Sequence, residues 1–139
     1  MIYQVLIVDD EEIVCRGLKE FVKWADHGFE VAGIAYSVDE ALSILEKNYI
    51  DVIFTDITMP GKSGLELLRL LAQRDKNLKT VILSGYSDFQ FAQEALRYGA
   101  VDYLTKPVDL KEVEALLDRL HRDIARQTQN AVIQRKRTE

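Results

Sequence analysis

The chain has 139 residues, 47% hydrophobic and 29% charged, with one cysteine and a net charge of −5. That size suits a single globular domain with its own core, and one cysteine excludes an internal disulfide framework and fits a reducing cytosol. From His121 to Glu139 five Lys/Arg face two acids, leaving −8 on residues 1–120, and so acidic a body does not suggest a nucleic-acid surface.

The first apolar run, Val5–Val8, is far too short for a signal segment or membrane span and predicts a buried strand in a cytoplasmic protein. Four acids follow at once, Asp9, Asp10, Glu11 and Glu12. A helix is expected over roughly Glu11–Trp24, carrying Val14, Leu18, Phe21 and Val22 inward. Phe29–Ala35 is a weaker strand. Ser37 with Glu40 has capping-box spacing and opens a helix with Ala41, Leu42 and Leu45 on its apolar stripe.

The third strand, Val52–Phe54, runs into Asp56 and the loop "ITMPGKSG". Ser63 with Glu66 then starts a helix striped by Leu67, Leu68 and Leu71. Val81–Leu83 is the fourth strand, followed by Ser84 and Gly85. Ser87 with Gln90 opens a helix carrying Ala92, Ala95 and Leu96, which Gly99 stops. The fifth strand, Val101–Leu104, leads into Thr105, Lys106 and Pro107. A last helix begins near Asp109 and Glu112, with Val113, Leu116, Leu117 and Leu120 inward. Beyond about Ile124 the apolar spacing decays. Residues 1–124 are therefore expected to be the domain, and 125–139 a basic, helical or frayed linker towards something outside this chain.

Uniformly apolar strands alternating with amphipathic helices predict an α/β fold: five βα units in an open, doubly wound parallel sheet. In such sheets, ligands bind beyond the carboxyl ends of the strands. Those ends carry Asp9 and Asp10, Asp56, Ser84 and Lys106. Three carboxylates gathered together repel, and a hard divalent cation such as Mg²⁺ relieves that while leaving positions for phosphate oxygens. A carboxylate can attack a phosphoryl group, and phosphoryl transfer needs little beyond in-line positioning and charge neutralisation. Asp56 is the candidate nucleophile, Lys106 the candidate countercharge and Ser84 the candidate hydroxyl donor. Singly, each has a plainer role: Asp56 capping a turn, Asp10 capping the first helix, Lys106 an exposed lysine. The Lys106-Pro107 bond is compatible with either isomer, cis aiming the lysine at the site and trans opening the last helix.

The segments "VLIVDDE", "DVIFTDITMPGKSGLELL", "VILSGYSD" and "AVDYLTKPVD", in this order, closely resemble the receiver domain of bacterial two-component response regulators over about residues 3–122. The resemblance implies a flavodoxin-like (βα)5 fold with strand order 2-1-3-4-5, and Asp56 as acceptor of a phosphoryl group from a sensor kinase histidine. It also implies Mg²⁺ held by Asp10 directly, by Asp9 often through water, by Asp56 and by the backbone carbonyl of Thr58. Lys106 becomes the phosphate-binding lysine, Ser84 the switch hydroxyl and Tyr103 the aromatic switch, although a strand tyrosine can be plain half-buried packing. Phosphorylation would remodel the face of helix 4, strand 5 and helix 5 and promote a homodimer there. The stretches "VKWADHGFEVAGIAYS" and "LSGYSDFQFAQEALRYGAVDYLTKPVD" look like receivers that precede an AraC-type helix-turn-helix domain, which would bind DNA from outside these 139 residues. Thr58 and Tyr86 stand where residues tune phosphoryl lifetime, and Val38 departs from a common glycine.

Three rivals are weaker. A haloacid-dehalogenase-type phosphatase would carry an acid two residues after the nucleophile, where Thr58 stands. A flavin-mononucleotide module would have a Ser/Thr/Gly-rich loop after the first strand, where "DDEE" repels phosphate. A pure interaction module with no phosphoryl chemistry is the third. His27 and His121 are isolated, with no metal-ligand spacing, and Cys15 is expected to be packed, not reactive.

Overall fold

The computed structural model describes residues 1–59, 61, 63–74, 77–85 and 89–138, with Phe89 and 131–138 described by backbone alone. The predicted cap at Ser87 and the loop residue Tyr86 lie outside the described residues. In chain order the elements are β1 (Tyr3–Val8), α1 (Glu12–Phe21), a 3-10 turn (Trp24–His27), β2 (Phe29–Ala35), α2 (Val38–Lys47), β3 (Val52–Asp56) and α3 (Gly64–Arg74). They continue with β4 (Lys79–Ser84), α4 (Phe89–Arg97), β5 (Asp102–Thr105) and α5 (Leu110–Thr138). All strand pairs are parallel and the sheet order is β2-β1-β3-β4-β5, so the predicted flavodoxin-like α/β architecture is present.

The central strands are apolar on both faces because both are covered. Val5, Ile7, Val52, Phe54, Val81 and Leu83 point to one layer with Leu18, Val22, Leu116, Leu117 and Leu120. Leu6, Val8 and Ile53 point to the other, with Ala41, Leu67 and Leu71. A β-strand alternates its side chains, so an unbroken apolar run serves two cores at once.

Caps act where the sequence suggests them. Ser37 Oγ accepts from the Glu40 amide at 3.1 Å while the Glu40 carboxylate accepts from the Tyr36 amide at 2.6 Å. Ser63 Oγ accepts from the Glu66 amide at 3.3 Å. After α4, Gly99 takes φ +106 and the Ala100 amide returns to the Ala95 carbonyl, the left-handed closure that favours glycine.

Some expectations need correction. The first helix stops at Phe21, because Val22 is extended (ψ 134), and Trp24 belongs to the separate 3-10 turn. Phe21 does not face inward: it is 66% exposed. The buried arc of α1 centres on Cys15 and Leu18, which leaves Phe21 on the flank with Ile13 and Gly17. In α4 the buried residues are Ala92 and Ala95, whose small side chains let the helix lie close to the sheet, while Leu96 sits on the rim. The fifth strand begins at Asp102, one residue after Val101. Of the two conformations left open beyond Ile124, helical or frayed, the structure shows the helical one. Among the described side chains of α5, Ile124 is the last buried position, residues 125–130 are exposed, and the helix continues to Thr138. No described helix is long and apolar enough to cross a membrane.

Candidate phosphoacceptor site

Parallel order puts the carboxyl ends of β1, β3, β4 and β5 on one rim, and the residues just past them meet there. Asp9 follows β1 directly. Its amide donates to the Ala35 carbonyl, its Oδ1 accepts from the Glu11 amide at 2.9 Å, and its side chain is fully buried. Asp10 is exposed beside it and is not the cap of α1; the residue before α1 is Glu11, which makes no side-chain cap. Asp56 is the last residue of β3 and is buried; its Oδ1 receives the Thr58 amide at 3.4 Å. Carboxylate oxygens of Asp9, Asp10 and Asp56 all lie within 4.8 Å of one another.

Lys106 closes the cluster from β5. Its Nζ is 2.7 Å from Asp9 Oδ2, 3.3 Å from Asp56 Oδ2 and 3.7 Å from Glu11 Oε1. The Lys106-Pro107 peptide is cis, resolving the alternatives the sequence left open, and the Lys106 amide donates to the Ser84 carbonyl at 2.7 Å. Ser84 ends β4 and is buried next to the end of β3. Tyr103 is half-buried in β5 and packs against the cluster formed by Ile57, Leu68, Ile82, Ala95 and Ala100.

The electrostatics follow from burying like charges together. Desolvation, reinforced by the Asp9 charge, pushes the Asp56 carboxyl up to about 6 against the pull of Lys106. Asp9 is raised as well, burial outweighing the approach of Lys106. Burial works against the Lys106 ammonium, but its closeness to Asp9 and Asp56 prevails and its pKa is raised. Asp9 Oδ2 is buried in an ion pair that lacks hydrogen-bond alignment. An all-oxygen donor set with a buried, imperfectly satisfied oxygen fits a hard divalent cation better than a soft or imidazole-seeking one.

The backbone under Asp56 is tightly held. The Thr55 hydroxyl donates to the Asp56 carbonyl at 3.0 Å. A Cβ on Gly64 would stand 2.2 Å from that same oxygen, so α3 begins in direct contact with the peptide that carries the acid. Beneath Asp9, the Cys15 thiol meets the Asp9 carbonyl at 3.4 Å, and burial followed by the Asp9 charge pushes that thiol up to about 11. Sequence reasoning missed Glu11 as a third acid within reach of Lys106 and missed Thr55 and Gly64 as supports. The unbroken run of four acids after β1 was the available signal for the first; the other two had none.

Residues 5–118 match the family description of the response regulator receiver domain. The chain belongs to that family. A receiver domain is the phosphoryl-accepting module of two-component signalling. The receiver is 38% identical over 125 residues to the transcriptional regulatory protein HptR of Staphylococcus aureus, a match covering 90% of this chain and 49% of that protein. It thus spans about half the length of the curated relatives it matches. The receiver domain of AraT, a response regulator from Geobacillus stearothermophilus, superposes with a TM-score of 0.87 at 32% identity, covering 92% of this chain and 99% of that one. A two-component transcriptional regulator AraC from Clostridium phytofermentans gives 0.83 at 28% identity, covering 91% and 98%.

Proposed function

We propose that Asp56 is the phosphoacceptor, taking its phosphoryl group from a histidine of a sensor kinase: the donor P–N bond breaks and a P–O bond to an Asp56 carboxylate oxygen forms. The observation that carries this is the Lys106 ammonium lying 2.7 Å from Asp9 and 3.3 Å from Asp56, with Asp10 beside them. At neutral pH, Asp56 with a pKa of about 6 is mostly ionised and nucleophilic. Asp9, Asp10, Asp56 and the Thr58 carbonyl would hold Mg²⁺, which when bound neutralises the equatorial oxygens of the transferring group. Lys106 would supply a second positive charge to the phosphoryl group, and Ser84 would donate its hydroxyl to a phosphoryl oxygen.

Tyr103 is the readout. It packs against the cluster that includes Ile82 of β4 and Ala95 of α4, so a shift of Ser84 at the end of β4 would be felt on the α4–β5–α5 face. That face is the proposed homodimer surface, and labelled protein should sediment as a dimer where unlabelled protein does not. The likeness to HptR and to the AraC-named regulator supports a whole protein that controls transcription in the cytosol through an AraC-type helix-turn-helix domain following residue 139. In this reading residues 1–124 are the receiver and 125–139 the linker, part of a helix continuing outward. The domain is a signalling acceptor with autodephosphorylation chemistry, not a turnover enzyme.

The test is intact-mass analysis after exposure to a small-molecule phosphoryl donor and Mg²⁺. Wild type gains one phosphoryl group and loses it in base. Equal labelling of Asp56→Asn rejects the assignment.

A further inference from the structure

The 3-10 turn between α1 and β2 is fastened to α5 by one side chain. His27 Nδ1 lies 2.7 Å from Asp118 Oδ1, and its Nε2 lies 3.0 Å from Glu114 Oε1. The two acids are four residues apart on α5, so they stand one turn above another on the same face. A neutral imidazole has one N–H and one lone pair. Two carboxylates facing both ring nitrogens are therefore satisfied together only by the doubly protonated ring; in the neutral form one lone pair opposes a carboxylate oxygen.

The surroundings hold this geometry in place. Trp24, at the other end of the turn, donates its indole N–H to the Leu18 carbonyl at 3.0 Å and sets its ring edge on Phe54. Gly28, the next residue after His27, takes φ +83, and a Cβ there would stand 2.5 Å from the His121 ring. His121 itself packs against Tyr3 and Phe29 and meets the Met1 carbonyl at 3.2 Å. The turn is thus pressed against α5, and the His27 ring is 19% exposed.

We infer that His27 is a proton-operated clasp: charged, it ties the α1–β2 connection to the second and third turns of α5, and neutral, it releases one of the two ties. The charged groups concerned are Glu114 and Asp118 from α5, with His121 a turn further on, and Lys23 and Asp26 within or beside the turn. Hydrogen bonding to Asp118, then to Glu114, raises the His27 pKa above its ordinary 6.5, against a smaller opposing effect of burial. The sign follows: a raised pKa on a histidine gives stability that is complete below 6.5 and lost as pH rises through the folded-state value. Because α5 is the helix that continues past the core to Thr138, the clasp makes the firmness of the outgoing helix depend on pH, independently of phosphoryl chemistry at the opposite rim.

The experiment follows His27 by NMR titration of the 139-residue chain, with amide exchange of residues 113–121 measured over the same pH range and corrected for intrinsic rates. His27 should titrate above 6.5, and Glu114→Gln/Asp118→Asn should bring it back towards 6.5. Protection of 113–121 should fall about fivefold relative to α2 as pH passes the midpoint. In His27→Gln it should be flat at the lower level. A wild-type midpoint at or below 6.5, or α5 protection indifferent to pH, overturns the inference.

Discussion

Asp56→Asn should stabilise the metal-free protein, and by an amount that depends on pH. The amide keeps the shape of the acid and removes its charge. Asp56 is 4% exposed and its carboxyl is raised from 3.8 to about 6, with burial first and Asp9 second among the causes. A raised carboxyl contributes stability that is complete below 3.8 and lost as pH rises through about 6, so at pH 7.5 the wild-type fold carries a penalty of about 3 kcal/mol that asparagine escapes. At pH 5 the difference shrinks to roughly half. For a domain of this size it corresponds to a gain of about 6–12 °C in Tm at pH 7.5. Thermal melts of both proteins in chelator, at pH 5 and 7.5, measure it directly. Adding Mg²⁺ should then raise the wild-type Tm and leave the variant nearly unchanged. Equal melting at both pH values, or a variant less stable at pH 7.5, would refute the reasoning.

Lys106→Met leaves Asp9 and Asp56 buried without their countercharge, so it should cost about 3–5 kcal/mol at pH 7.5 and less at pH 5, below the value of about 6 to which Asp56 is raised; denaturant melts at the two pH values check this. Gly64→Ala drives a methyl into the Asp56 carbonyl, a backbone atom with little freedom to retreat. It should cost about 1–3 kcal/mol and slow phosphoryl uptake, whereas Gly17→Ala, with open space around its Cβ position, should be neutral or stabilising. Ser37→Ala removes the acceptor for the Glu40 amide and should lower stability by about 1 kcal/mol, with phosphoryl uptake unchanged.

The fold was legible because two physical signals are strong in this chain. Strands such as Val52–Phe54 are apolar without alternation, which only a two-faced core explains, and Ser37–Glu40 and Ser63–Glu66 mark helix starts by a local hydrogen bond. Errors came where tertiary packing decides. Phe21 fits an inward stripe by spacing alone, but the sheet meets α1 along Cys15 and Leu18. Leu96 is displaced by two alanines that bring α4 closer than a leucine allows. Beyond Ile124 the sequence left helical and frayed states open, because Arg, Gln and Ala are compatible with a helix but carry no apolar stripe that would decide it. The meeting of Asp9, Asp10, Asp56 and Lys106 at one edge was legible because strand ends in a parallel sheet share a rim. The grip of Gly64 on Asp56 and the bonds from His27 to residues 87 and 91 positions away were not, since they exist only once distant segments are packed.

The most direct measurement is peptide mapping of the protein after phosphoryl labelling in Mg²⁺, with chelator as the paired condition. The predicted result is one acyl phosphate on Asp56, formed with Mg²⁺ and absent without it. Phosphate on a serine, threonine or histidine, or labelling of Asp56 at the same rate in chelator, would contradict the proposal that the clustered carboxylates and Lys106 form a cation-dependent acceptor.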